Sequence, residues 1–269
     1  MTAAHDARQM RQPRLAEMVA GVLRERIVSG DLADGGALPG LEKLVQEFGV
    51  SPPSLREALR ILENEGLITV RRGNVGGAVV HRPSSDAAAY MFGLVLQAEQ
   101  VPVADLATAL GHLEVLCARL CAARRDRRRA VLPALRRLHR ASTAVITDAV
   151  AFEQACQAFH DGLIAHCGNR SIMLAVTAFE WLWREQPEGW AHRVSALHEY
   201  PDVALRRAGV AAHAEILEAI DLGSPEEAER VARAHIQDPR IRSVAGSDAT
   251  VRATDIPRVS RPGRAVPPT

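Results

Sequence analysis

The sequence contains few cysteines and no long apolar run, and each shortage narrows the classes of protein that it can encode. Its four cysteines form no Cys-x-x-Cys pair, which argues against a zinc ribbon or a thioredoxin-like site. No apolar run reaches the ~18 residues of a membrane-spanning helix, and the first residues lack the charged start and apolar run of a signal peptide. We therefore expect a cytoplasmic protein with reduced cysteines and no membrane partner.

Neither sign of charge is in large excess. The 269 residues carry 33 basic and 32 acidic side chains, a formal net charge of +1. Any site for nucleic acid must therefore be a local basic patch and not a global field. The 47% hydrophobic and 24% charged residues are typical of a soluble globular protein, and the length allows one large domain or two modest ones.

The periodicity of apolar residues predicts a mainly α fold, a winged helix-turn-helix followed by an all-α bundle. It divides the chain into a flexible N-terminus (1–12), a winged helix-turn-helix domain (13–82), an all-α helical domain (83–238) and a disordered tail (239–269). The tail is rich in Arg, Pro, Ser, Gly and Thr, a composition that cannot bury a core.

Three helices and a hairpin are predicted in the domain over residues 13–82. The first helix runs from Arg14 to Ser29 and the second from Leu41 to Phe48, where Gly49 can adopt the left-handed conformation. Ser51 is the expected N-cap of a third helix, with Pro52 at its first position. Two short β-branched runs on either side of residues 71–77 then predict the hairpin.

These segments resemble the N-terminal domain of GntR-family transcription regulators. The resemblance rests on four blocks in the order and spacing of that family: Leu23–Leu32, Leu38–Pro39, Phe48–Ser51 and Leu55–Ile68. It implies a winged helix-turn-helix that binds a palindromic DNA operator as a homodimer. Two departures, Pro52 where the family commonly has Arg and Gly40–Glu42 where it has Ser-Glu-Arg, predict a divergent operator.

The third helix would present its exposed side chains to major-groove base edges, and the hairpin would contact phosphates and the minor groove. Arginine suits either a phosphate or the O6/N7 edge of guanine. The predicted DNA-binding residues are Ser51, Ser54, Arg56, Arg60, Arg71, Arg72, Asn74 and Gly76. The alternative is that these arginines are ordinary solvated surface residues.

The helical half resembles the FCD domain of FadR-type members of the same family, which implies that residues 83–238 form an effector-binding and dimerisation domain. In such domains an Asp and three His bind one divalent metal, and a small carboxylate effector lies above it. The matched positions here are His160, His213 and His235, with Cys156 in place of the Asp. A thiolate with three imidazoles favours zinc, and Glu153, one turn away, could restore a carboxylate. The alternative is that the histidines are hydrogen-bonded core residues without a metal.

The spacing of these residues supports a metal site independently of the family resemblance. His213 and His235 lie at about equal distances, ~14 Å, from a turn at residues 223–225, so the two arms of a helical hairpin bring their rings level. Cys156 and His160 are four residues apart and therefore share a helix face.

The effector contacts are less well defined. Leu110 occupies the position where the family often has an Arg, so another cation must hold a carboxylate. Arg119 is the predicted substitute, with Arg184 as an alternative, and Glu114 and Asn169 are the further predicted effector residues.

Together these patterns predict a ligand-responsive repressor and not an enzyme. An effector shifts operator affinity only through its different affinities for two protein states. Two alternatives stay open at this point, a metal-dependent hydrolase and a DNA-binding protein whose helical domain senses nothing.

Overall fold

A computed structural model describes residues 3–71, 77–186, 201–236 and 249–255, with residues 3–13 and 71 described in backbone only. The chain divides into two units, the first ending at Ser84 and the second spanning Ser85–Pro257. The described residues are mainly helical, and the strands lie in the first unit, which confirms the predicted fold class.

The N-terminal unit has three helices and a two-stranded antiparallel sheet. They are α1 (Ala3–Ser29), α2 (Leu41–Phe48), α3 (Pro52–Asn64), β1 (Ile68–Arg71) and β2 (Gly77–Val80). The strands pair from Ile68↔Val80 to Arg71↔Gly77, and Ala37 adds a short bridge to Val79. A shared apolar core joins all three helices to the sheet.

The first helix begins at Ala3, not at Arg14, so the prediction of a flexible N-terminus is wrong for residues 3–12. The segment is polar, but it contains Ala, Arg, Gln and Met, which are strong helix formers, and no glycine. Polarity alone therefore does not stop the helix.

The turn between α2 and α3 follows the prediction. Gly49 closes α2 with φ +61°, in the left-handed region that glycine adopts without steric cost. Ser51 Oγ accepts a hydrogen bond from the backbone N–H of Ser54, and Pro52 occupies the start of α3, where its missing N–H costs nothing.

The helical unit is a bundle built around one buried helix. Its elements are α4 (Ser85–Ala98), α5 (Val103–Ala123), α6 (Arg127–Ala130), α7 (Leu132–Ala144), α8 (Ala149–His166), α9 (Arg170–Arg184), α10 (Val203–Leu222) and α11 (Pro225–Ile236). Apolar periodicity predicts a helix over residues 196–222, and the structure begins it at Val203, because Asp202 caps it by accepting the Leu205 N–H. The part of that prediction before Pro201 lies outside the described residues.

Helix α5 is the central helix of the bundle, and α8, α9, α10 and α11 all pack against it. By length and composition α5 is apolar enough to cross a membrane, but 56% of its most apolar window is buried inside the unit. Burial of this kind is typical of the core helix of a helical domain, so the apolar run reflects packing.

Part of the segment predicted as a disordered tail is packed. Residues 249–255 lie against the bundle, where Val251 and Ala253 are fully buried. The Val103 N–H donates to Ala249 O and the Val251 N–H to Val101 O, and Gln97 accepts from the Ala253 N–H. The prediction of disorder is therefore wrong for these residues, because the polar composition of the whole segment masked its two buried apolar side chains.

Candidate functional site

One face of α3 carries exposed basic side chains above a buried apolar face. Leu55, Ala58 and Leu62 are buried, whereas Arg56 and Arg60 are exposed on the other side of the helix. Arg60 lies 3.4 Å from Glu57, a surface ion pair of small energy. The structure therefore leaves both predicted arginines available to a duplex that approaches this face.

Ser54 does not lie on that face. It is only 3% exposed, and its hydroxyl lies 2.9 Å from Ser51 Oγ. Its direct contact with DNA is therefore a wrong prediction: the residue lies next to Leu55 at the buried edge of the helix and completes the cap. Ser51 remains exposed, but its hydroxyl is already engaged in that cap.

The hairpin residues can be compared only in part. Arg71 ends β1 and is described in backbone only, while Arg72, Asn74 and Gly76 lie outside the described residues. Their predicted roles stay predictions.

Four potential metal ligands converge inside the helical unit, from three helices. Cys156 and His160 lie one turn apart on α8, His213 lies on α10 and His235 on α11. The donor atoms of Cys156, His160 and His213 all lie within 4.8 Å of one another. His213 Nε2 is 3.1 Å from His235 Nε2 and 3.9 Å from Cys156 Sγ. The α10–α11 hairpin thus brings its two rings level, as the spacing predicts.

The surroundings shift the pKa values of His213 and His160 in opposite directions. Burial, reinforced by the neighbouring His160 and His235, holds the pKa of His213 well below its ordinary value. Burial also opposes protonation of His160, but hydrogen bonds with Cys156 and Glu114 outweigh it and raise the pKa of His160 to about 10. Glu114 Oε2 lies 3.4 Å from His160 Nδ1.

The donor set fits a divalent metal. A thiol and imidazoles are the ligands that zinc prefers, and a carboxylate behind a ligating histidine is a common arrangement that fixes its ring orientation. Among the described residues, the buried His213 Nδ1 has no hydrogen-bond partner. The opposite ring nitrogen, Nε2, is the one that faces His235 Nε2 at 3.1 Å and Cys156 Sγ at 3.9 Å, so the rings of His213 and His235 direct potential ligand atoms into the cluster.

A cavity of about 80 Å³ adjoins the cluster. Cys156 and His160 line it, together with the predicted alternatives Glu153 and Arg184. The other lining residues are Leu110, Phe152, Gln157, Glu180, Trp183, Pro201, Leu205, Arg206 and Gly209.

Arg206 is a lining residue that no sequence pattern indicated. Only 8% exposed, it donates from Nη1 to Ile146 O (2.6 Å) and from Nε to Pro201 O (2.8 Å). Among the described residues no carboxylate pairs with it, in contrast to Arg184, which pairs with Asp161 and Glu180. An arginine in the first turn of a helix is common at surfaces, and only the tertiary structure shows that this one is buried beside a cavity.

Arg119, Glu114 and Asn169, the predicted effector residues, are not among the described residues that line the cavity. Arg119 forms ion pairs of 3.0 Å with Glu226 and Glu229. Asn169 caps α9 by accepting the Ile172 N–H, and Glu114 is 1% exposed behind His160. The structure therefore gives each of the three a partner within the protein itself, and their effector roles stay predictions.

Comparison with known families accounts for both units. A model of the family described as "Bacterial regulatory proteins, gntR family" matches residues 15–79, and one described as "FCD domain" matches residues 105–238. The chain therefore belongs to the GntR family of transcription regulators and carries a C-terminal FCD domain.

Individual relatives agree with this assignment. The HTH-type transcriptional repressor NanR of Escherichia coli K12 is 27% identical over 234 residues, 86% of this chain and 84% of that protein. NanR of Klebsiella aerogenes is 39% identical over 79 residues, which cover 29% of this chain and 30% of that protein. The solved structure "Streptococcus agalactiae GntR" covers 84% of this chain and 99% of its own, with a TM-score of 0.57 and 21% identity, and it shares the fold.

These relatives are transcription regulators and not enzymes. The protein is accordingly a DNA-binding transcription regulator, and the alternative of a metal-dependent hydrolase is wrong.

Proposed function

We propose that the protein is a ligand-responsive repressor that acts in the cytoplasm and binds a two-fold symmetric operator as a homodimer. The exposed face of α3, with Arg56 and Arg60, would enter the major groove. The observation that carries the proposal is the convergence of a thiol and three imidazoles beside a cavity, in a chain that begins with a winged helix-turn-helix.

The proposed metal is one zinc ion held by Cys156, His160, His213 and His235. When bound, it would supply a positive charge that attracts a carboxylate in the adjoining cavity. The protein's own contribution is to orient the ligands: Glu114 holds the His160 ring, and the turn at Gly223 brings His213 and His235 together.

The proposed dimer uses the exposed face of α4. Met91, Phe92 and Val95 form an apolar strip on this helix, and each is more than 40% exposed. Exposed apolar strips mark interaction surfaces, and a second copy is the partner that a two-fold symmetric operator requires. A Met91→Glu/Val95→Glu variant should elute as a monomer in size-exclusion chromatography with light scattering, whereas an Arg137→Ala variant should remain a dimer.

The experiment that tests the function is a gel mobility shift with the DNA upstream of the gene, with and without small carboxylate metabolites. We expect retardation by the zinc-loaded protein that at least one metabolite changes. Retardation that no metabolite alters would indicate a DNA-binding protein whose helical domain responds to no effector. The absence of any preference for a symmetric site would overturn the proposal.

The metal is tested on purified protein by elemental analysis. We expect about one zinc per chain in the wild type and in a His112→Ala control, and a large loss in the His213→Ala/His235→Ala variant. Equal and negligible zinc in all three proteins would overturn the metal proposal without affecting DNA binding.

A further inference from the structure

The first turn of α3 presents two adjacent prolines to solvent. Pro52 and Pro53 occupy the first two positions of the helix, and both are exposed. The two residues that follow them, Ser54 and Leu55, are buried. The exposed side chains among residues 52–55 are therefore two pyrrolidine rings, whose surface consists of carbon.

The backbone donors of this turn are missing or already engaged. Neither proline has a backbone N–H. The Ser54 N–H donates to Ser51 Oγ and the Leu55 N–H to Ser51 O, while the hydroxyl oxygens of Ser51 and Ser54 lie 2.9 Å apart. Residues 52–55 thus offer no free backbone donor, so this turn is unsuited to the phosphate groups that other helix N-termini bind.

The two prolines share a helix face with the exposed arginines. Arg56 follows Pro52 by four residues and Pro53 by three, and Arg60 follows Arg56 by four, spacings that place side chains next to one another on a helix. This is the face of α3 that we propose to enter the major groove. Because the N-terminal residues of a recognition helix contact base edges, a duplex held there brings base edges against the proline rings.

Thymine is the base whose major-groove edge suits a pyrrolidine ring. Its C5-methyl group is apolar, whereas adenine, guanine and cytosine expose only hydrogen-bonding atoms in that groove. Proline has no side-chain donor or acceptor, so opposite those three bases it would cover polar atoms without replacing their hydrogen bonds to water. Against a thymine methyl group it instead removes apolar surface from water, which is favourable.

We propose that Pro52 and Pro53 are specificity-determining residues that contact the C5-methyl group of a thymine in each operator half-site. They select this base by apolar contact, while the neighbouring Arg56 provides the charged contact of the same face. The inference rests on the proposed function in one respect, since it requires the exposed face of α3 to enter the major groove.

The test removes the methyl group without changing the base pairing. The full-length protein first selects an operator from random duplexes. In this operator each thymine, together with its symmetry mate in the other half-site, is then replaced by deoxyuridine, which lacks the C5-methyl group. Fluorescence anisotropy should show one pair of replacements that weakens binding by about 15-fold, that is, about fourfold for each methyl group withdrawn from contact.

Variants show whether the prolines make this contact. A Pro52→Ser/Pro53→Ser protein should bind the thymine and deoxyuridine duplexes with affinities within about twofold of each other, because the apolar contact is gone. Pro133→Ser changes an exposed proline in the first turn of α7 and should keep the wild-type difference. Thermal unfolding checks that each variant folds, and the two single substitutions replace the double variant if it does not.

The outcomes separate this inference from the proposed function. A symmetric operator that no deoxyuridine replacement weakens would overturn the inference and leave the proposed function standing. A difference between thymine and deoxyuridine that persists unchanged in the folded proline variants would also overturn it, because other residues then contact the methyl group and the prolines only begin the helix. A methyl-dependent site without two-fold symmetry, at which the variants lose the difference, would support the inference and overturn the dimeric operator.

Discussion

The two units of this regulator distribute their polar residues in opposite ways. In the N-terminal unit the candidate functional side chains, Arg56 and Arg60, are exposed on one helix above an apolar core. In the helical unit the polar residues Glu114, His213 and His235 are buried inside the core. A surface site follows from the pattern of one helix, whereas an interior site depends on which helices meet.

The largest expected effect is the loss of stability when a buried leucine is truncated in one apolar core or the other. Leu62 on α3 and Leu163 on α8 are both fully buried, in different apolar clusters. Truncation of either to alanine should lower the free energy of unfolding of its own unit by about 2–5 kcal/mol, because it removes apolar contacts and leaves a cavity. Calorimetry or hydrogen exchange resolved by peptide should measure it.

The two variants are each other's control. Leu62→Ala should weaken protection in α1, α2 and α3 and leave α5 and α8 unchanged, and Leu163→Ala should do the reverse. Equal loss of protection in both units for either variant would show that they unfold as one.

The next effect concerns the exposed face of α3. Arg56→Ala should weaken binding to a selected operator by about 1–3 kcal/mol, that is, roughly 5- to 150-fold, if the guanidinium contacts a base edge. Fluorescence anisotropy measures it. Arg137→Ala removes another exposed arginine, from the helical unit, and should leave affinity within about twofold at matched salt.

The same contrast explains what the sequence could predict. The α2–α3 turn follows from Gly49, Ser51 and Pro52, whose conformational preferences act locally, and the pairing of His213 with His235 follows from equal spacing about a turn. The burial of Arg206 beside the cavity could not be predicted, because it depends on the carbonyls of Ile146 and Pro201.

Three predicted site residues have partners within the protein itself. Ser54, Arg119 and Asn169 are polar residues at positions that suited a ligand, and each proves to be engaged with its own protein: a cap, an ion pair and a cap. The partners of Ser54 and Asn169 lie within three residues, whereas those of Arg119 lie on another helix, and sequence patterns alone exclude neither kind.

A smaller expected effect is the pH dependence of stability that the buried carboxyl group of Glu180 causes. Burial, helped by Asp161, raises the pKa of Glu180 from 4.5 to about 8. Between these values the native state holds a proton that the unfolded state has released, so stability falls as pH rises, with a slope approaching about 1.4 kcal/mol per pH unit. Glu180→Gln should flatten the dependence of unfolding free energy on pH from 5 to 8 in EDTA. A slope unchanged by the substitution would place the titration elsewhere.

The smallest effect decides between the two roles considered for Asn169. As the N-cap of α9, its replacement by alanine should cost about 1 kcal/mol of stability, similar to the loss of Asp148, which caps α8 in the same way. The metabolite response of operator binding should be equal in Asn169→Ala, Asp148→Ala and the wild type. A response lost in folded Asn169→Ala alone would place this residue in the effector site, because a cap stabilises a helix without distinguishing the liganded from the unliganded state.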